Sequence, residues 1–456
     1  MSSDQSRRVF LQRSAALGLA GSAAPFVMNL ATIGEAAAAV ATDYKALVCV
    51  FLHGGNDFAN TLTPYDQATY NLYQALRPNI AIPRNDLTAT VLKPTKPLPG
   101  GVQYALAPTL APLLPIFNAG KMAAVLNVGT LIQPTTKAQY LAESVPLPPK
   151  LFSHNDQVSF FQASSPEGAS SGWGGRMGDL LQSGNGNATL TCISVAGNAV
   201  YMSGKSTAQY TMGPYGPTSL YGNYPTVLTS ATAISVLRSM TTAPRTHILE
   251  NEHTRVTKRS LDTFDQVSTA LAGAPQINTH WESHNSLALQ LKLVAQMISV
   301  SQQLGTKRQV FYVSIGGFDV HDGLLGRQPL LLTSVTQALK SFYDTSIELG
   351  FSDKVTTFTA SDFGRTMVNN EDGSDHGWGS SHFVMGGAVK GNQIYGTSPT
   401  WANNGPDDVG QGRLLPTTSV DQYAATLASW FGVSDSDMSI VLPYIGNYTT
   451  RNLGFV

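Results

Sequence analysis

An alternation in the C-terminal half of the chain constrains its fold most. Residues 285–304 return Leu287, Leu291, Val294, Met297, Ile298 and Leu304 mostly every three or four positions, the spacing of an amphipathic helix. An apolar, β-branched run follows at 310–315, a second helical pattern at 329–349, and a second strand-like run at 355–359. Parallel strands cannot be joined by a tight hairpin, so helix, strand, helix, strand predicts a parallel sheet with helical crossovers. Lys45–Leu52, KALVCVFL, is continuously apolar, as central parallel strands are. Residues 122–128 and 189–195 supply further strands, and 419–431 a C-terminal helix. The predicted fold is α/β, with a doubly wound, mainly parallel sheet.

Open α/β sheets bind ligands beyond the carboxyl ends of their strands. The first strand here runs into His53-Gly54-Gly55-Asn56-Asp57, and the run at 310–315 runs into Gly316-Gly317, Asp319 and His321. The run at 355–359 leads to Asp362 and Arg365, and a Gly-rich loop with Asp375, His376 and His382 follows. In a chain only 12% charged, strand ends that deliver Asp and His point to a divalent-metal site. Asp319 and His321, two apart on an extended segment, face the same side. Asp57 suits a ligand or an Asx turn with Asn56. Arg365 offers a planar fork for phosphate or sulfate oxygens, or one half of a structural Asp–Arg pair. Ser153 opens a helix expected within 151–162, where unpaired N–H groups favour an anion, and is a candidate nucleophile. With Asp156 the same serine also spells a capping box. His53 and His154 are candidates for general acid, proton shuttle or ligand.

Paired arginines in SRRVFL, an apolar stretch at 15–31 and Ala39-Val40-Ala41 resemble a twin-arginine export signal over residues 1–41. The expected partner is the twin-arginine machinery, and the expected destination is the periplasm or the outside. Residues 42–456 are expected to form one domain with a loop-rich insertion at about 196–280, and no later run is long enough to span a membrane. A net charge of −1 offers no footprint for nucleic acid. Cys49 and Cys192 sit in strand-like runs and are expected as buried thiols, or as a bridge if their strands are neighbours. Neither heads a C-x-P-x-R signature, and the chain lacks G-x-S-x-G, P-loop, HExxH and paired CxxC motifs.

HGGND (53–57), SHNDQ (153–157), GWGGR (172–176), GGFDVHD (316–322), SDFGRT (361–366), DHGWG (375–379) with FVMGGAVKG (383–391), and DQYAATLASWFGV (421–433) together resemble one family. It is the bacterial secreted family called domain of unknown function 1501, related to the alkaline phosphatase and sulfatase superfamily. The resemblance implies an alkaline-phosphatase-like core and a two-metal hydrolytic centre with Zn, Mn, Ca or Mg. It implies Asp57, Asp319, His321 and Asp362 as ligands, with His376 or His382 as the late histidine, and Ser153 as nucleophile. Phe363 stands where the superfamily's histidine would follow Asp362, and Asp319-x-His321 is tighter than usual, so one metal instead of two is open. The expected activity is hydrolysis of a small-molecule or glycan phosphate or sulfate ester. Ser153 or a metal-bound hydroxide would attack, with His154 and Arg365 assisting. The alternative is a non-catalytic exported protein that binds a glycan, a metal or a partner through Trp173, Trp378 and the Tyr/Gly-rich insertion.

Overall fold

The computed structural model describes residues 43–219 and 230–456, so the export signal expected at 1–41 lies outside the described residues. The strands are β1 (Lys45–Leu52), β2 (Leu62–Pro64), β3 (Tyr104–Leu106), β4 (Met122–Gly129), β5 (Cys192–Ser194), β6 (Tyr210–Thr211), β7 (Arg308–Ile315), β8 (Val355–Ser361), β9 (Ser380–Gly386), β10 (Gln393–Tyr395) and β11 (Thr418–Ser419). Nine of them form one sheet in the order β10-β4-β9-β8-β1-β7-β5-β6, with β11 also on β4. β9 runs antiparallel to β4 and β8, and the remaining pairs in this sheet are parallel. β2 and β3 form a separate antiparallel pair.

Both faces of the sheet are covered, which makes it doubly wound. Ala46, Val48, Val50 and Leu52 of β1 join one core with helices Ser286–Ser299 and Leu324–Glu348. Leu47, Cys49 and Phe51 point the other way, into a core with helices Trp173–Leu181 and Val420–Phe431. Alternate side chains of a strand point to opposite faces, so a strand buried on both must be apolar throughout. Each fully buried Leu, Val or Phe contributes roughly 1.5–3 kcal/mol.

β1, β4, β7 and β8 fall where the apolar runs predict them. Residues 380–386, expected within a loop, form β9 instead. Within the expected insertion the described residues include β6 and helices Ala231–Thr242 and Ile248–Ala272. Cys49 and Cys192 are free and buried. Their strands are separated by β7, where Cys49 faces Tyr312 and Cys192 faces Val310. Two interstrand steps are roughly 9–10 Å, beyond the reach of a disulfide. Among the described residues no helix is long and apolar enough to cross a membrane.

Candidate metal centre

The carboxyl ends of β1, β7 and β8 meet at one edge of the sheet. Because β9 is antiparallel, its amino end reaches the same edge, which brings in His376 four residues ahead of Ser380. Helix His154–Ala163 supplies His154 from its first position.

Three imidazoles converge there on Asp319. His376 Nε2 lies 3.1 Å from His154 Nε2, 3.1 Å from His321 Nε2 and 3.2 Å from Asp319 Oδ1. Asp319 Oδ1 is 2.8 Å from His321 Nε2, and its Oδ2 is 3.4 Å from His154 Nε2. The Nδ1 atoms all point outward to oxygen. His154 Nδ1 is 2.7 Å from Asp362 Oδ2, His321 Nδ1 is 3.0 Å from Asp375 Oδ1, and His376 Nδ1 donates to the Phe152 carbonyl at 2.8 Å. An oxygen partner on Nδ1 fixes the hydrogen there and leaves the Nε2 lone pair of a neutral ring pointing inward. Two such lone pairs 3.1 Å apart need a cation or a proton between them. The residues therefore fit a divalent ion held by His154, His376 and Asp319, whose ligand atoms all lie within 4.8 Å of one another, with His321 beside His376 and Asp319.

The surroundings hold this geometry. Phe152 takes φ 73°, a left-handed backbone uncommon for a bulky residue, and so aims its carbonyl at His376. Phe363, next to Asp362, packs its ring with centroids 4.8 Å from His154 and 4.9 Å from His376. Gly54 sits at φ 112°, where a Cβ would come within 2.3 Å of the Asp319 nitrogen. Burial pushes the Asp319 carboxyl up, but the Arg365 hydrogen bond and the charges of Arg365, His154 and His321 outweigh it, lowering it to about 2. The hydrogen bond to Asp362 raises the His154 pKa, whereas desolvation lowers those of His376 and His53.

Several expected site residues lie elsewhere. Asp57 is buried away from the cluster, paired with Arg77 at 2.5 Å and accepting from Ser374 Oγ at 2.7 Å and the Asn60 N–H at 2.9 Å. Asp362 stands one layer back, accepting from the Gly54 N–H at 3.1 Å and orienting His154. Arg365 is wholly buried, bonded to Asp319 at 2.6 Å and to the carbonyls of Gly54 and Ser374, so it does not face the cleft. Ser153 turns its hydroxyl to Asp156 Oδ2 at 2.9 Å. His382 lies within β9, in the core against Phe161 and Tyr423, where desolvation lowers its pKa to about 3. Asp375 and the Phe152 carbonyl were not expected in these roles. Asp375 was visible beside His376, but a backbone carbonyl leaves no mark in sequence.

A cleft of about 500 Å³ opens beside the cluster, lined by His53, Gly54, His154, Asn155, Glu167, Asp319 and Asp362, among others. The model of the family described as "Protein of unknown function (DUF1501)" matches residues 44–443. The chain belongs to that family. No curated protein matches this DUF1501 chain. Among solved structures it is similar to Ps i-CgsB in complex with k-i-k-neocarrahexaose, at 9% identity and TM-score 0.35 over 89% of this chain and 77% of that one. It is similar to the lipoteichoic acid synthase LtaP from Listeria monocytogenes, at 9% identity and TM-score 0.33 over 87% and 76%. A mutant of alkaline phosphatase PafA matches at 9% identity and TM-score 0.27 over 72% and 64%.

Proposed function

We propose that this DUF1501 protein is a metal-dependent hydrolase of phosphate or sulfate esters, exported by the twin-arginine route to the periplasm or beyond. The observation that carries this reading is the convergence of three imidazole Nε2 atoms near Asp319, with His154 and Asp319 lining an open cleft. Three nitrogens and one carboxylate suit zinc or manganese better than calcium or magnesium, which prefer oxygen. Such an ion supplies Lewis acidity and lowers the pKa of a bound water.

The protein's own groups position and sustain the centre. Asp362, Asp375 and the Phe152 carbonyl fix the three rings, and Arg365 keeps Asp319 ionised. Ester hydrolysis forms a bond from a water oxygen to phosphorus or sulfur and breaks the bond to the alcohol oxygen. The alcohol leaves with one proton of that water, and the other goes with the product acid. Ser153 is engaged by Asp156, so water is the nucleophile in this reading.

One observation favours a second reading, a metal-binding protein without turnover: Arg365 and Ser153 are both engaged within the protein. Elemental analysis of the purified full-length chain beside His376→Ala, with aryl phosphate and sulfate assays under metal-replete conditions, separates the two. About one equivalent of zinc or manganese, lost in the variant, together with turnover supports the hydrolase. Metal without turnover supports the binder, and no stoichiometric metal rejects both.

A further inference from the structure

We propose that the cleft takes a singly charged tetrahedral ester, a phosphodiester or a sulfate monoester, in preference to a doubly charged phosphate monoester, and that His53 is the neutral donor holding its oxygen. The proposal rests on the hydrolase reading above.

The first argument is charge. Among the described residues lining the cleft there is no lysine or arginine, whereas Glu167, Asp319 and Asp362 are carboxylates. The guanidinium of Arg365 is wholly buried and already bound to Asp319. A divalent ion added to this set roughly balances it, so the first negative charge of a substrate is tolerated and a second meets Glu167 and Asp362 without a counter-charge.

The second argument is a chain of hydrogen bonds that favours one tautomer of His53. Gln162 Oε1 accepts from the Tyr201 N–H at 3.1 Å, so its amide nitrogen is the end that faces the Tyr312 hydroxyl, at 3.5 Å. An amide nitrogen can only donate, so the Tyr312 oxygen accepts from Gln162 and keeps its own hydrogen to give, with His53 Nε2 at 3.0 Å and Ser314 as its other partners. When Tyr312 gives that hydrogen to His53 Nε2, the hydrogen of neutral His53 is on Nδ1. That atom is 4.0 Å from Asp362 Oδ1, too far for a hydrogen bond, and the ring lines the cleft beside His154. Phe51 holds the ring at a centroid distance of 4.5 Å. In that tautomer Nδ1–H is an uncharged donor with no acceptor within hydrogen-bond distance among the described residues, beside His154. A neutral donor recognises an anionic oxygen without adding the positive charge that a dianion would need.

The test uses the full-length metal-replete protein at pH 8 and two inert probes, phenylsulfonate as the monoanion and phenylphosphonate as the dianion, followed by calorimetry. Phenylsulfonate should bind more tightly, and His53→Phe should weaken it by about tenfold, the worth of one hydrogen bond. His53→Gln, which keeps an amide donor, should recover part of the loss. Turnover of an aryl sulfate, a bis-aryl phosphate and an aryl phosphate then names the source of the singly charged group. Preferred cleavage or binding of the doubly charged member overturns this proposal and leaves the hydrolase reading standing, as does an unchanged affinity in a folded His53→Phe. No turnover of any ester removes the hydrolase reading and this proposal with it.

Discussion

Asp362 Oδ2 lies 2.7 Å from His154 Nδ1, while the Gly54 N–H reaches the same carboxylate at 3.1 and 3.2 Å. The carboxylate therefore positions a ring whose opposite nitrogen faces the cluster.

Replacing Asp362 with Asn keeps an oxygen for Gly54 but weakens the hold on His154. Loss of such an outer carboxylate costs roughly 10–100-fold in metal affinity. His154→Ala, which removes a donor, should cost more. Competition with a chromophoric chelator ranks the two, and equal affinities for Asp362→Asn and wild type would remove the orienting role.

Asp57 and Arg77 form an ion pair with side-chain exposures of 1% and 0%. Arg77→Met strands a buried carboxylate and should destabilise the fold by about 3–5 kcal/mol. Asp57→Asn with Arg77→Met should recover part of that. Urea unfolding measures both, and the folded fraction of either variant should still bind metal, because neither residue is in the cluster.

The fold holds His382 neutral, with a pKa lowered by burial to about 3 against an ordinary value of 6.5. The unfolded chain takes up a proton as pH falls through 6.5 and the folded chain does not. This stability is full above pH 6.5 and is lost as pH falls toward 3, by up to about 1.4 kcal/mol per pH unit. His382→Phe, which suits the ring pocket of Phe161 and Tyr423, should flatten that part of the stability profile between pH 4.5 and 6.5. Parallel profiles for the two proteins would contradict it.

Ser153→Ala removes a hydroxyl that bonds Asp156 and no member of the cluster. Metal content should be unchanged, and ester turnover should stay within a few-fold of wild type if water attacks. Complete loss of turnover with metal intact would return the nucleophile's role to Ser153.

The sheet was legible because a strand covered on both faces must be continuously apolar, and Lys45–Leu52 and Val355–Ser361 are written that way. β9 was hidden, since Ser380 and Ser381 and the Trp/Gly-rich residues before it read as loop. With β9 unseen, His382 seemed as available as His376, although one lies inside a strand and the other before it. Charged residues at strand ends were found, but their partners were not. Arg77 is 20 residues from Asp57 and Asp319 is 46 from Arg365, and no local pattern announces either pairing. His154, expected as an acid, shuttle or ligand, could join the cluster only through the tertiary path of helix His154–Ala163.

His154 and His376 are 222 residues apart along the chain, yet their Nε2 atoms are 3.1 Å apart. The centre therefore closes only when helix His154–Ala163 and the segment leading into β9 are packed together. An ion held there would be a clasp recording that the molecule is finished. If the chain crosses a membrane already folded, as its paired arginines lead one to expect, the ion is chosen where folding ends and carried to where the protein works. Which metal it holds would then report the chemistry of the compartment it left.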